Sequence, residues 1–286
     1  MVSNELAEAL DRFQVGDTPL LEVGASDFGL ESVLVKDESQ NQFGTFKDRK
    51  SREVALYADH AGARIVLAMT SGNYGYSLPR FLELAGIRSL LFVSDNLDPV
   101  IVNKLREKAR VTHEDLEKKE LDLDSRASGS SVQINATNFF DDAYLGIFRE
   151  IKMGLRKQNK NPDYVVVPLG SGELFAAALR YYYLSGTKVI GVTTDFRGTA
   201  AKMLYAKYRP IMKKIMQHAN RDKFHVINAT EPEIKQAYEW AQRKKISAEP
   251  SAAAAFVALQ RHNFRPGEEV VFVNTGDGRK NFYSQP

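Results

Sequence analysis

Cysteine is absent from the 286 residues, which excludes disulfides, thiolate zinc sites and a cysteine nucleophile and fits a reducing cytoplasm. No apolar run approaches the roughly 20 residues needed to cross a bilayer. The first ten residues carry acids but no basic-then-apolar pattern, so no secretory signal is expected. An excess of one charge is missing too: 39 Lys and Arg against 36 Asp and Glu leave a net charge of +3, too small to imply a nucleic acid or a membrane surface as partner. Five histidines, at 60, 113, 218, 225 and 262, show no metal-ligand spacing and read as structural or exposed residues. Neither Gly-x-Ser-x-Gly nor His-Glu-x-x-His occurs, so two common hydrolase signatures are excluded.

What is present is a globular composition, with 43% hydrophobic and 26% charged residues. A length near twice the usual domain of about 150 residues suggests two lobes. Short β-branched runs at 33–35, 64–68, 89–93, 164–167, 188–192 and 270–273 read as strands. Between them, apolar residues recur at helical spacing over 48–60, 76–84, 143–155, 174–183 and 252–261. Near-continuous apolar strands separated by helices predict an α/β fold with parallel sheets covered on both faces. The polar stretch 114–133 reads as an exposed helix followed by a loop, and 202–223 as an amphipathic helix with a solvated basic face.

Four segments carry potential chemistry. Gly44-Thr45-Phe46-Lys47-Asp48-Arg49 follows a strand and the charged triplet Lys36-Asp37-Glu38, and places Lys47 where a helix begins. Such a lysine can present a rigidly held amine to a carbonyl; equally, it can be a surface residue beside a helix start. The loop Gly170-Ser171-Gly172-Glu173-Leu174 lies between a buried strand and a helix, where free N–H groups and the helix dipole favour an anion. It is neither a P-loop, lacking Gly-Lys-Ser/Thr, nor a dinucleotide fingerprint, since Phe175 replaces the third glycine. Glu173 opposes an anion there: a carboxylate about 4 Å from a phosphate charge costs roughly 4 kcal/mol at an effective dielectric of about 20. Either its side chain points away or the loop holds something else. Thr70-Ser71-Gly72-Asn73-Tyr74-Gly75 offers hydroxyls and helix-start amides suited to a carboxylate, with Asn73 also a candidate N-cap. Asn274-Thr275-Gly276-Asp277-Gly278 follows the last strand, where ligands of α/β sheets gather, although by itself it is an ordinary Asp-Gly turn.

Taken in order, these segments resemble the fold type II pyridoxal-phosphate enzymes, the tryptophan synthase β family, and within it the threonine synthases. Gly16-Asp17-Thr18-Pro19-Leu20 resembles the family's N-terminal motif, and Ala248-Glu249-Pro250-Ser251 a Glu-Pro-Ser segment of threonine synthases. The resemblance implies two open, mostly parallel sheets covered by helices: a large cofactor-binding domain (1–60 and 150–286) and a smaller, mobile, substrate-loop domain (61–149). It implies pyridoxal 5'-phosphate as cofactor, with Lys47 as the Schiff-base lysine and catalytic acid and base. Asn73 would meet the ring hydroxyl, Gly170, Ser171, Gly172, Glu173 and Leu174 the phosphate, and Thr275 the pyridine nitrogen. Thr70, Ser71, Gly72, Asn73 and Tyr74 would bind the substrate carboxylate. No metal is implied. The activity implied is elimination or replacement at Cβ or Cγ of a small amino acid, by a cytoplasmic homodimer.

The departures from the family pattern bear on the substrate. Glu173 stands where Gly or Asn is usual, and Asn138-Phe139-Phe140-Asp141 puts an acid where threonine synthases carry an arginine for a substrate phosphate. Alternatives within the family are a serine/threonine dehydratase and a cysteine-synthase-like β-replacement enzyme; outside catalysis, the alternative is a binding or regulatory protein on the same fold.

Overall fold

The computed structural model describes residues 4–114, 123–128, 132–137, 140–157, 159–196, 198–204 and 221–283. The basic stretch expected to be helical at 202–223 and the loop within 114–133 therefore fall mostly outside the described residues, as do Asn138, Phe139 and the Asp141 side chain. In chain order the first elements are α1 (Asn4–Asp11), β1 (Leu20–Gly24), β2 (Ser32–Asp37), α2 (Lys47–His60), β3 (Ile65–Met69) and α3 (Asn73–Leu84). There follow β4 (Arg88–Ser94), α4 (Pro99–Arg106), β5 (Arg110–Glu114), α5 (Leu123–Ser128), β6 (Gln133–Asn135) and α6 (Leu145–Arg156). The remainder comprises β7 (Tyr164–Pro168), α7 (Glu173–Tyr182), β8 (Lys188–Thr193), β9 (Phe224–Asn228), α8 (Glu231–Arg243), α9 (Pro250–Ala253), α10 (Ala258–Arg261) and β10 (Val270–Asn274). The fold is the α/β arrangement expected, with two sheets and every strand pair parallel except β1–β2. Among the described residues no helix is long and apolar enough to cross a membrane.

The chain divides into two compact units. One comprises Gly16–Gln40 and Tyr144–Asp277 and holds a six-stranded sheet in the order β1-β2-β10-β7-β8-β9. Its core is built on Trp240, Phe256 and Phe272, whose rings lie 5.0 and 5.2 Å apart in sequence, with the fully buried alanines of 252–255 letting the helical layer sit close to the strands. The helix expected over 252–261 is interrupted: residues 254–257 wind into a tighter 3₁₀ turn, and the Ala258 N–H reaches the carbonyl of Ala255 only three residues back.

The other unit comprises Met1–Val15, Asn41–Ala143 and Gly278–Pro286 and holds a four-stranded sheet in the order β5-β4-β3-β6. Val54, Leu78, Phe81, Leu82 and Leu91 are fully buried in its core. Its extent differs from the smaller domain expected at 61–149. The helix α2 packs against α3, and Phe282 completes an aromatic chain in which Phe13, Phe43, Phe81 and Tyr76 meet edge to face. Burial of these side chains assigns α2 and residues 278–283 to the unit of β3 and β4.

Candidate active site

In the four-stranded unit, Lys47 is the first residue of α2. Gly44 takes a left-handed φ of 71° and its N–H bonds the carbonyl of Asn41 at 2.9 Å, so the chain reverses sharply before the helix. The Lys47 N–H donates to the Thr45 hydroxyl oxygen at 3.3 Å. The next residue, Asp48, is fully buried; one carboxylate oxygen accepts the Phe43 N–H at 2.6 Å and the other the Ser77 hydroxyl at 2.6 Å. Asp48 therefore ties the turn before α2 to the body of α3, and as an acid in the first turn it also favours the positive end of its own helix. With the backbone so held, the partly buried Lys47 side chain places Nζ 4.8 Å from the Phe46 ring centroid and 5.8 Å from that of Tyr74.

The Thr70 loop stands beside it at the start of α3. Thr70 closes the loop on itself: its hydroxyl oxygen accepts N–H groups from Gly72 at 3.1 Å and Gly75 at 2.8 Å. Gly72, at φ 143° and ψ −85°, adopts a conformation closed to other residues, and a Cβ at Gly75 would stand 2.5 Å from the Thr70 methyl. Tyr74 is buried, with its hydroxyl on the Ala136 carbonyl at 2.8 Å, and its ring also lies 4.9 Å from the Lys50 ammonium, which donates to the Thr137 carbonyl at 2.7 Å. Ser71 is exposed and Asn73 half-buried. Asn73 does not cap α3 through its side chain, since it is the first helical residue and Gly72 occupies the cap. Its amide lies against the backbone at Gly278, where a Cβ would stand 2.1 Å from Oδ1.

In the six-stranded unit, the Gly170 loop and Thr275 lie past the carboxyl ends of β7 and β10, which are parallel neighbours. Gly172, at φ 101°, caps the ten-residue helix α7. The first N–H groups of such a helix have no acceptor within it, and the dipole makes that end positive. A Cβ at Gly170 would stand 2.4 Å from the Met203 carbonyl oxygen, and the Met203 N–H is in turn held by the Ser251 hydroxyl at 3.2 Å. Glu173 is buried at 4% exposure in the first turn of α7, Leu174 is buried, and Ser171 is exposed. Thr275 is half-buried, directly after the buried Asn274.

The Gly16 motif also finds its physical basis here. Gly16 and Asp17 take left-handed φ of 85° and 48°, which turns Thr18 towards β2, and the Thr18 hydroxyl donates to Glu38 at 2.6 Å. The buried Lys36 ammonium donates to the Thr18 carbonyl and to Glu150 of α6. The charged triplet 36–38 is thus a set of internal ties. Sequence reasoning missed Asp48, Asn274 and Gly278, and only Asp48 left a local signal, an acid one residue into a helix.

Each unit thus presents one feature of chemical interest, Lys47 at the start of α2 in one and the glycine loop at the start of α7 in the other. Residues 12–276 match the family model of the pyridoxal-phosphate-dependent enzymes, and the chain belongs to that family. Its cofactor is pyridoxal phosphate. A 2-amino-4-ketopentanoate thiolase β subunit from an unknown prokaryotic organism is 26% identical over 220 residues, 64% of this chain, and the match spans only 44% of that subunit's length. The threonine synthase of Halalkalibacterium halodurans is 25% identical, over 93% of this chain and 83% of its own. The solved structure of an O-ureido-L-serine synthase superposes with a TM-score of 0.77 at 20% identity, covering 100% of this chain and 95% of that one, a likeness of fold.

Proposed function

We propose that Lys47 carries the pyridoxal phosphate covalently and that the chain is a threonine-synthase-like lyase or synthase, eliminating or replacing a group at Cβ or Cγ of a small amino acid. The observation that carries this reading is the placing of Lys47: it opens α2 on a turn anchored by buried Asp48, with its amine beside the rings of Phe46 and Tyr74. The chemistry of the remaining donors suits the same group. Gly170 has no room for a side chain and Gly172 is left-handed, so the loop 170–174 meets a phosphate through backbone N–H groups at the start of α7. Asn73 would contact the ring hydroxyl and Thr275 the ring nitrogen. Held at Lys47, the cofactor supplies an electron sink for the bonds of the substrate's α-carbon. The Lys47 amine takes and returns the proton at that carbon. The substrate carboxylate would lie on the loop of Ser71, Gly72 and Asn73, whose shape Thr70 and Tyr74 hold through their committed hydroxyls. The threonine synthase relative, aligned over 93% of this chain, supports this choice within the family.

The test is to titrate the purified protein with pyridoxal phosphate, follow the visible band, reduce with borohydride and find the modified peptide by mass. Attachment at Lys47 is expected; no band and no trapping at Lys47 would overturn the assignment. Incubation with a panel of amino acids then separates threonine, a 2-oxo acid with ammonia, and a β-substituted amino acid as products. Cofactor bound at Lys47 without turnover would assign a binding or regulatory role instead. A cytoplasmic homodimer belongs to the same reading and is checked by the mass of the native particle.

A further inference from the structure

We infer that Asn274 is a positioning residue that sets where the Thr275 hydroxyl stands, an inference that rests on the reading of Thr275 as partner of the cofactor's ring nitrogen. Asn274 is the last residue of β10, fully buried and opposite Asp37 in the parallel register with β2. Both N–H arms and the oxygen of its amide are engaged. Nδ2 donates to the Asp37 carboxylate at 2.8 Å and to the Ser247 carbonyl at 2.9 Å, and Oδ1 accepts the Gly276 N–H at 3.2 Å. The Gly276 carbonyl in turn accepts the Glu249 N–H at 3.0 Å. The residue on each side of Thr275 is therefore pinned, one through its side chain and the next through its backbone.

The anchor is itself secured. The Asp37 carboxylate that receives Asn274 also accepts the Ser39 N–H and hydroxyl at 3.2 and 2.6 Å and the Gln40 amide at 3.1 Å. A buried carboxylate already so bonded cannot turn to follow Thr275, so the geometry runs one way, from Asp37 through Asn274 to Gly276. Only an amide fits between these groups. It must donate twice, to a carboxylate and a carbonyl, and accept once from an N–H. Aspartate has the same shape but would face two acceptors with a third. A strand that merely ended here would not need a buried amide; a strand whose next side chain must be aimed does.

The experiment compares Asn274→Ala and Asn274→Asp with Thr275→Val and with the double variant Asn274→Ala/Thr275→Val. Three quantities are read: the affinity for pyridoxal phosphate by absorbance titration, the wavelength and pH dependence of the bound cofactor's band, and the melting temperature without cofactor. Thr275→Val is expected to shift the band. Asn274→Ala is expected to shift it in the same direction and to weaken binding about tenfold, in keeping with the loss of roughly one net hydrogen bond. Adding it to Thr275→Val should change neither spectrum nor affinity further, because the two act on one contact. A lower melting temperature with a wild-type band and affinity in Asn274→Ala, while Thr275→Val shifts the band, would overturn the inference and leave Asn274 a packing residue. An unshifted band in Thr275→Val, with Lys47 still trapped by borohydride, would instead overturn the reading of Thr275. Should Asn274→Asp not fold, Asn274→Ala and Asn274→Ser carry the same comparison, since each removes the tie to Asp37.

Discussion

Replacing Gly170 by alanine adds one methyl group at a point where a backbone oxygen already stands. The new Cβ would lie 2.4 Å from the Met203 carbonyl oxygen and 3.6 Å from its carbon. An ordinary carbon–oxygen contact is near 3.4 Å, so the two strands of backbone must part by about 1 Å. Neither yields freely. Met203 is held by Ser251, which is 5% exposed at the start of the buried alanine run, and Gly170 is separated from the buried end of β7 only by the buried Leu169. Overpacking of this kind costs about 1–3 kcal/mol, which for a chain of this size lowers the melting temperature by roughly 2–10 °C. The φ of Gly170 is not left-handed, so the whole effect is steric. Gly186→Ala is the matched control: no atom lies within 4 Å of its Cβ position and its φ is ordinary, so it should be neutral or gain about 0.4–1 kcal/mol. If the loop 170–174 holds the cofactor phosphate, a displacement of about 1 Å should also weaken cofactor binding by about tenfold to hundredfold. Thermal unfolding with and without pyridoxal phosphate, beside an absorbance titration, reads both effects. An unchanged melting temperature would refute the packing argument, and a lowered one with unchanged affinity would refute the phosphate role of the loop.

Glu150→Gln should destabilise the protein by about 2–4 kcal/mol in urea unfolding, because it leaves the Lys36 ammonium buried with a weaker partner; the modest exposure of Glu150, 18%, keeps the cost near the lower end for buried pairs. Lys36→Met with Glu150→Leu should recover most of that loss. Gly278→Ala must displace the Asn73 amide, and should weaken cofactor binding and shift the cofactor band while leaving borohydride trapping at Lys47 intact. Thr230→Ala removes a capping box at the start of α8 and should cost about 1 kcal/mol. Partial burial would raise the Glu233 carboxyl, yet the Thr230 N–H and hydroxyl and the Arg261 guanidinium outweigh it and hold the group below its ordinary value. Its stabilisation is therefore complete above the ordinary glutamate range, near pH 4.5, and is lost as pH falls through the depressed value. The stability gap between wild type and Glu233→Gln should narrow over that acid range, and a gap that widened would refute the sign.

The six strands read from the sequence all form, because each is a short, largely buried run rich in β-branched, leucine or aromatic side chains. The strands not anticipated lack that signature. The antiparallel β1 is Leu-Leu-Glu-Val-Gly with no buried residue, β5 is Arg-Val-Thr-His-Glu and β9 Phe-His-Val-Ile-Asn, each on a sheet edge, and β6 is only Gln-Ile-Asn. The helix α8 was legible in principle, since Thr230 and Glu233 form a capping box with Pro232 within the first turn, but its apolar stripe is thin. The local geometry at Lys47 was legible, because a glycine-bearing turn before a helical pattern fixes where the helix starts. Local pattern is silent where the demand is tertiary. Nothing near Gly278 in the chain announces Asn73, 205 residues away, and nothing near Asn274 announces Asp37, 237 residues earlier. The extent of the units was hidden for the same reason: α2 looks continuous with the strand before it, and only the burial of its face shows which sheet it covers.

The unit that contains Lys47 is threaded from three separated stretches of chain, and this has a consequence for biosynthesis. The Phe43 carbonyl, at the turn leading into α2, is bonded by the Asn281 amide 238 residues later, and Phe282 fills the aromatic chain around Tyr76. At a synthesis rate of about 5–20 residues per second, roughly 12–48 s separate the emergence of the two partners from the ribosome. During that interval the nascent unit lacks part of its core and carries an apolar face with no cover. A ribosome stalled before residue 278 would hold the lysine turn without this support, so chaperone demand should begin with the stretch around Phe43 and end only once residues 278–283 have emerged.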